Sequence, residues 1–440
     1  MFNTLRNAFK VKDIRNRLIY TLICLLVVRL GTLLPAPAIS RSFTNEWFNA
    51  DYLNFFNSMT GGSFARMSIF ALSITPYISS SIIVQLLTIA IPKLEEMQRE
   101  GEDGRKKITE ITRYITVALA LIESSAMAIG FGSTGALQGG LTFTNVVLIV
   151  ASFTAGSAFL MWLGERITQS GVGNGISIIL LVNIVSRMPN DFINLYYKYI
   201  QNQPVVKAII AATIIIAVCV VTVVFVLIVQ NAERRIPVQY AKKVQGRKMV
   251  GGQTSHIPLK VNTAGVIPVI FANSLMTFPI VVASFFNVKP ARAYFWPKVL
   301  KVLNQNSWLV FKGWGEFKYS LGLLIYIVLV IFFAYFYTSI TFNPIEVANN
   351  MKKQGGFIPG IRPGKPTTEY LTKVLNRIIF IGAVGLTFVC VIPIFFSGAF
   401  SADVSFGGTS IIIIVGVIIE TIKQIEAQLL VRHYKGFLND

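Results

Sequence analysis

"GGSFARMSIFALSITPYISSSIIVQLL", residues 61–87, reads at first as a damaged membrane span. Residues 67–92 carry no charge, and as one helix they would run about 39 Å, too long for a straight crossing of a ~30 Å hydrocarbon core. Gly61, Gly62 and Arg66 stand at the start of the stretch, and Pro76 stands inside it. A proline lacks the backbone N–H, and its ring collides with the carbonyl four residues back, here that of Leu72. The stretch therefore divides into an irregular piece carrying the glycines and Arg66, followed by a helix beyond Pro76. Irregular backbone at membrane depth is tolerated only where protein encloses it or where it lines a wet cavity. For Pro76 taken alone, a kink absorbed by packing is the alternative.

The whole chain supports a bilayer as its solvent. Of 440 residues, 53% are hydrophobic and only 14% are charged, and mean hydropathy is +0.62, a balance far from that of a soluble domain. The formal charge of +20 calls for a polyanionic partner or an anionic membrane face. Cys24, Cys219 and Cys390 are far apart and lie in apolar stretches, so they read as packing residues without disulfide or metal spacing. His256 and His433 are isolated in charged segments and read as solvated or hydrogen-bonded. Residues 1–17 are basic with Phe2, Leu5 and Phe9 at helical spacing, which predicts an interfacial amphipathic helix and not a cleavable signal.

Ten apolar runs are candidate spans: about 18–37, 68–91, 109–131, 143–163, 172–187, 205–230, 262–286, 319–341, 370–396 and 409–430. The fifth is the weakest, and charge tests it. Cytoplasmic loops collect Lys and Arg. Ten spans with both termini inside place 28 of the 40 basic residues inside and 11 outside, with Arg29 in a span; deleting the fifth gives 21 and 18. Ten spans split into two halves of five, and an odd number per half makes any repeat an inverted one. The second span of each half should then correspond. Span two carries Pro76, and span seven carries Pro268 and Pro279. Paired interruptions at matching places point to a permeation path.

Catalytic signatures fail on inspection. "GIRPGKPT", residues 360–367, has the wrong glycine spacing for a phosphate loop and Pro366 where a hydroxyl residue belongs. "GVGNG", residues 171–175, follows an apolar helix and not a strand. Ion-coupled transport of a small solute, the rival reading, requires carboxylates at membrane depth, and away from the span ends the sequence offers only Arg29 and Glu123. Glu123 falls at a depth similar to Ser79, Ser80, Ser81 and Asn273, so a small polar cluster is expected, serving either as interhelical glue or as a gate. Two loops are long and basic: residues 231–260 hold seven basic residues and one acidic, and residues 343–371 hold four basic residues among Gly and Pro turns. Such loops suit RNA or a large docking protein. A plain positive-inside face explains their sign but not their length.

The stretches "SIFALSITPYISSSIIVQLL", "EGEDGRKKITEITRY", "FLMWLGERITQSGVGNGISII", "QYAKKVQGRK", "HIPLKVNTAGVIPVIFA", "NNMKKQGGFIPGIRPGKPT" and "FGGTSIII" resemble, in order and across nearly the whole chain, the SecY family of protein-conducting channel subunits. That resemblance implies an all-α polytopic membrane fold: ten transmembrane helices in two inverted five-helix halves, closed as a clamshell around a central pore, with a re-entrant plug. It implies halves at 18–187 and 205–430, the plug at about 56–66, an external hinge loop at 188–204, basic cytoplasmic loops at 231–260 and 343–369, and a tail at 431–440. The pore ring would be Ile74, Ile78, Ile176, Leu180, Ile270 and Ile413, with Leu180 where isoleucine is frequent. Phe56, Gly61, Gly62, Phe64 and Arg66 would belong to the plug. Ser79, Ser80, Glu123 and Asn273 would form the polar cluster of a lateral gate between spans two and seven.

The same resemblance implies docking of the SecA ATPase or a ribosome at Arg247, Lys248, Lys352, Lys353 and Arg362, and small membrane partners SecE and SecG. Signal sequences, nascent polypeptides and membrane lipids would be the other contacts. The implied location is the bacterial cytoplasmic membrane, with both termini cytoplasmic. No enzyme activity, cofactor or metal is expected.

Overall fold

A computed structural model of the chain describes residues 2–39, 57, 59–133, 137–138, 140–201, 204–240, 243–245, 248–250, 254–285, 299–300, 302–303, 321–400 and 408–436. The helices are α1 (Phe2–Lys10), α2 (Lys12–Gly31), α3 (Thr75–Ala90), α4 (Pro92–Arg99), α5 (Glu102–Ser133), α6 (Phe143–Ser170) and α7 (Gly175–Tyr199). They continue with α8 (Val205–Asn231), α9 (Ile267–Phe285), α10 (Leu321–Thr341), α11 (Pro344–Lys353), α12 (Lys365–Phe400) and α13 (Gly408–Gly436). Each of the ten expected spans overlaps one helix: α2, α3, α5 to α10, α12 and α13. By length and composition, six of the described helices suffice to cross a membrane, and α3 with α4, bent by 101°, makes a seventh. α8 shows why lipid is the solvent. Ile209, Ile216, Val220, Val221 and Ile228 all lie exposed along it, a patch that water would not tolerate.

Where the helices begin and end corrects the sequence reading in two places. Pro76 and Pro268 do not break spans midway. Each sits in the first turn of its helix, α3 or α9, where a missing N–H is one of the donors the helix leaves unpaired anyway. Pro279 is the proline inside α9. In addition, α7 runs on through Pro189 to Tyr199, so most of the loop expected at 188–204 is helical, with Leu195 buried along it.

Residues 59–74 are the irregular piece, a chain of turns between the end of α2 and the start of α3. Met59, Phe64, Met67, Phe70, Leu72 and Ile74 are all buried. Backbone polar groups in such a place must find protein partners, and these do. Ala36 N donates to Met67 O at 2.9 Å, and Ile69 N donates to Leu34 O at 3.0 Å. Ala65 N donates to Asn57 Oδ1 at 3.1 Å, and Ser63 Oγ donates to Phe70 O at 2.8 Å. The path turns through the left-handed region at Gly61 (φ 67°), Gly62 (φ 83°), Met67 (φ 48°) and Ser73 (φ 52°). The two residues with side chains each cost roughly 1–2 kcal/mol there, a strain that the surrounding burial holds in place.

The largest apolar cluster joins both halves: Ile78 on α3, Leu180 on α7, Val226 on α8, Ile270 on α9, Tyr326 on α10, Cys390 on α12 and Ile413 on α13 all belong to it. A second cluster, with Met127, Ile149 and Phe153, packs α5 and α6 around Phe64 and Leu72. α6 comes close enough for a Cβ on Gly156 to fall onto the Ile69 carbonyl oxygen.

Five short strands were not foreseen: β1 (Glu233–Tyr240), β2 (Lys243–Gln245), β3 (Lys248–Val250), β4 (Thr254–Lys260) and β5 (Gly356–Phe357). β1 pairs antiparallel with β4, setting Ile236 opposite Ile257, and also with β5, setting Gln239 opposite Phe357. The two basic loops therefore share one sheet of order β4-β1-β5.

Gly156→Ala should destabilise the protein by about 1–3 kcal/mol, because the contact it would overfill is backbone and cannot rotate away. Thermal unfolding in detergent checks this, and an unchanged melting temperature would contradict the close approach.

Candidate functional site

The parallel segments "ITPYI" and "VIPVI", residues 74–78 and 266–270, begin α3 and α9. Proline fixes the first turn of each, so the residue two positions on, Ile78 or Ile270, emerges at a set angle. Ile74, Ile78, Leu180, Ile270 and Ile413 are all buried in the cluster shared by the halves, and half-buried Ile176 packs against it. The six expected ring residues thus meet in one apolar body. Val266 is buried in the same cluster, and sequence reasoning passed over it. The signal was available: Val266 stands to Pro268 and Ile270 as Ile74 stands to Pro76 and Ile78.

The third contributor is α7. Its N-cap Asn174 accepts from Ile176 N at 3.1 Å and Ser177 N at 3.4 Å, the arrangement that satisfies free donors at a helix start. "GVGNG" is thereby a tight α6–α7 turn: Gly173 has φ 78°, and a Cβ on Gly175 would strike the Gly164 carbonyl. Ile176 and Leu180 follow one turn apart and so share a face.

Ile78, Ile176, Leu180 and Ile270 line an open cavity of about 410 Å³. Polar side chains share the lining, among them Gln85, Arg113, Glu165, Asn174 and Tyr337. The Arg113 and Glu165 side chains make a two-pronged pair, Nε to Oε1 at 2.8 Å and Nη2 to Oε2 at 2.7 Å, which binds α5 to α6 and leaves little net charge on that wall. Met59 of the irregular segment belongs to the apolar cluster that these aliphatic residues share.

Among the expected plug residues, Phe56 lies outside the described residues. Gly61 and Gly62 make the left-handed turns, Phe64 is buried in the α5–α6 cluster, and Arg66 is exposed. A side chain that sequence reasoning did not single out holds the segment. Asn183 on α7, 1% exposed, donates from Nδ2 to Met59 O and to Ser73 Oγ, each at 3.2 Å.

Two of the residues expected in the polar gate cluster make interhelical hydrogen bonds. Ser80 Oγ donates to Thr112 O at 2.7 Å and accepts from Thr116 Oγ1 at 2.9 Å, tying α3 to α5. Asn273 Nδ2 donates to Tyr326 Oη at 3.4 Å, tying α9 to α10. Glu123 is buried on α5, which packs against α9. Ser79 and Ser81 are half-buried, and Ser81 lines the cavity. Interhelical hydrogen bonds of this kind are worth roughly 1 kcal/mol in a membrane.

At the basic end, Arg247 lies outside the described residues, and Lys248 begins β3. Lys352 and Lys353 are exposed at the C-terminus of α11, where helix polarity favours cations. Arg362 is exposed, and its carbonyl accepts from Thr367 Oγ1 at 2.8 Å. A small core of Ile236, Val238, Leu259, Met351, Ile358 and Leu371 lies under both loops. The two loops, which the sequence presents 83 residues apart or more, make one platform.

The family model for SecY matches residues 68–422. The chain is 42% identical to the protein translocase subunit SecY of Halalkalibacterium halodurans over 445 residues, covering 100% of both. Its fold is similar to a solved protein-conducting channel, with a TM-score of 0.64 and 19% identity over 94% of this chain and 92% of the other. It is also similar to Sec61 in a canine ribosome-channel complex, with a TM-score of 0.60 and 17% identity over 94% and 92%.

If the loops form one body, Val238→Asp should open both. A buried, unpaired carboxylate is strongly unfavourable, so trypsin should cut near Arg235 and near Lys352 several-fold faster, as read by fragment mass. Faster cutting at one loop alone would show two independent loops.

Proposed function

Because this chain belongs to the SecY family, we propose that it passes unfolded polypeptide through the constriction formed by Ile74, Ile78, Ile176, Leu180, Ile270 and Ile413, and releases apolar segments sideways between α3 and α9. The protein is the membrane-embedded channel subunit of a translocase and not itself an enzyme. One observation supports the residue assignment: aliphatic side chains from both halves meet in one cluster and line an open cavity that also carries polar groups, and buried Met59 of the irregular segment joins that cluster. An apolar constriction resists wetting and ion passage. It also offers a moving chain no hydrogen bonds to dwell on, so it suits substrates of any sequence. The small-solute transporter weighed from sequence is not supported.

The ten helices that overlap the expected spans form two halves, 18–187 and 205–430, with residues 59–74 as the plug between funnel floor and exterior. Ser80, Glu123 and Asn273 line the seam where α3 and α5 face α9 and α10, and a signal sequence would part that seam. The basic end faces the cytoplasm with both termini, in a bacterial cytoplasmic membrane. Arg247, Lys248, Lys352, Lys353 and Arg362 form the docking surface for a ribosome or for SecA. The ribosome reading is supported by the likeness to a channel solved on one and by the excess of cations, which suits ribosomal RNA. SecE and SecG are the expected small partners, with SecE bracing the outer face near α7 and α8.

Photocrosslinkers at Ile78 and Ile270 should label a secretory chain stalled in transit. If a stalled chain labels neither, the pore assignment fails. Arg362→Glu should lower motor-driven or ribosome-coupled export several-fold while membrane insertion of the variant stays normal, and unchanged export would reduce the platform to a solvated face.

A further inference from the structure

The plug segment is flanked by two polar atoms that have no hydrogen-bond partner among the described residues: Arg29 Nη1 on α2 and Asn183 Oδ1 on α7. Both point at the same glycine. A Cβ on Gly61 would lie 2.9 Å from Arg29 Nη1 and 3.0 Å from Asn183 Oδ1, so a donor and an acceptor stand less than about 6 Å apart beside the open face of Gly61. The other end of the same amide is fully engaged, with Asn183 Nδ2 donating to Met59 O and Ser73 Oγ. One side chain therefore ties both ends of the segment, while its acceptor stays unbonded near a guanidinium. Arg66, on the plug itself, adds like-charge repulsion toward Arg29.

We propose that Arg29 and Asn183 are positioning residues that set how readily the channel opens, by exchanging partners as the plug moves. With the plug in place, Asn183 holds Met59 and Ser73, and Arg29 Nη1 and Asn183 Oδ1 stay apart. When the plug withdraws, Gly61 moves away, Asn183 loses its two acceptors, and its oxygen accepts a charge-assisted hydrogen bond from Arg29. Each state thus satisfies groups that the other leaves unpaired, which gives two discrete arrangements and not a continuum. Glycine at 61 is required twice, by its left-handed turn and by the absence of a side chain between the two atoms. The exchange fixes the stringency of the channel: a weak signal sequence must supply whatever the closed arrangement holds over the open one.

This inference rests on the channel reading, and the test separates the two. The full chain, purified with the membrane subunits that accompany it, is reconstituted in vesicles and assayed for ion leak and for export of a substrate with a defective signal. Asn183→Leu should raise both several-fold. Arg29→Met should lower export several-fold in the wild-type background, because the open arrangement loses its bond, and should change nothing further when combined with Asn183→Leu. Asn183→Asp, which keeps the acceptor and loses the donors, should be the leakiest variant, and adding Arg29→Met should reverse it. Arg29→Lys, which keeps the cation, should fall between wild type and Arg29→Met and stands in if that variant fails to assemble. Additive effects of the two positions, or an Asn183→Leu channel as tight as wild type, would overturn the exchange. Labelling from Ile78 and Ile270 in the same vesicles reports on the pore independently, so labelled chains with additive leak would reject the latch and keep the channel.

Discussion

Backbone amides and carbonyls inside a bilayer must be paired, because no water is there to pair them. Residues 59–74 are the place where this chain departs from helix at such a depth, and much of the surrounding structure answers to that departure. The chain just beyond α2 lends Leu34 O and Ala36 N to the segment. α6 presents Gly156 so that its surface can reach the Ile69 carbonyl, and α7 presents Asn183. Internal bonds such as Ser63 Oγ to Phe70 O complete the pairing. A segment held by a few polar bonds and by strained dihedrals at Met67 and Ser73 is closed without being deeply locked. That is what a removable seal needs.

On the proposed reading, the cavity and its aliphatic floor divide two tasks that one surface cannot perform. Polar side chains such as Gln85 and Asn174 would keep water around an arriving chain, and the paired Arg113 and Glu165 would avoid trapping substrates of either charge. The aliphatic floor would exclude ions when empty, since each ion crossing it must shed its water. Flexible side chains such as Ile and Leu can also yield around a passing chain without losing specific bonds. Moving a charge into the floor, or a carboxylate relay into the walls, would spoil one task to improve the other.

Much of this was legible in the sequence, and the parts that were not share a cause. The ten apolar runs and the separation of an irregular piece from a helix near Pro76 follow from local rules about length, charge and backbone geometry, whereas Pro268 read as a break within its span and proved to lie in a first turn. The convergence of Ile74, Ile78, Ile176, Leu180, Ile270 and Ile413 came from resemblance, because nothing local says that four elements meet. The sheet joining residues 233–260 to Gly356 and Phe357 was missed, although Ile236, Val238, Ile257 and Leu259 alternate as strands do. Its pairing links segments far apart in sequence, and the basic residues between them masked the short period. Asn183 was missed for the same reason. A lone Asn in an apolar helix gains its meaning only from Met59 and Ser73, more than a hundred residues earlier.

The polar ties named above all lie within one half or the other. Ser80 with Thr112 and Thr116 fastens α3 to α5, Arg113 with Glu165 fastens α5 to α6, and Ser124 with Thr154, 3.0 Å apart, does so again. In the other half Asn273 with Tyr326 fastens α9 to α10, helped by the edge-on Phe271 and Phe333 rings at 5.6 Å, and Tyr335 Oη with Asn376 O at 3.1 Å fastens α10 to α12. Across the seam, the shared cluster is apolar, with aliphatic side chains such as Ile78, Leu180, Ile270 and Ile413 prominent in it. Hydrogen bonds fix distance and angle, whereas dispersion contacts between aliphatic side chains are individually weak and impose little direction. Two bodies stiffened in this way move as units and separate along the boundary that has least geometry to lose. On the proposed reading, that boundary is the line along which α3 and α9 part.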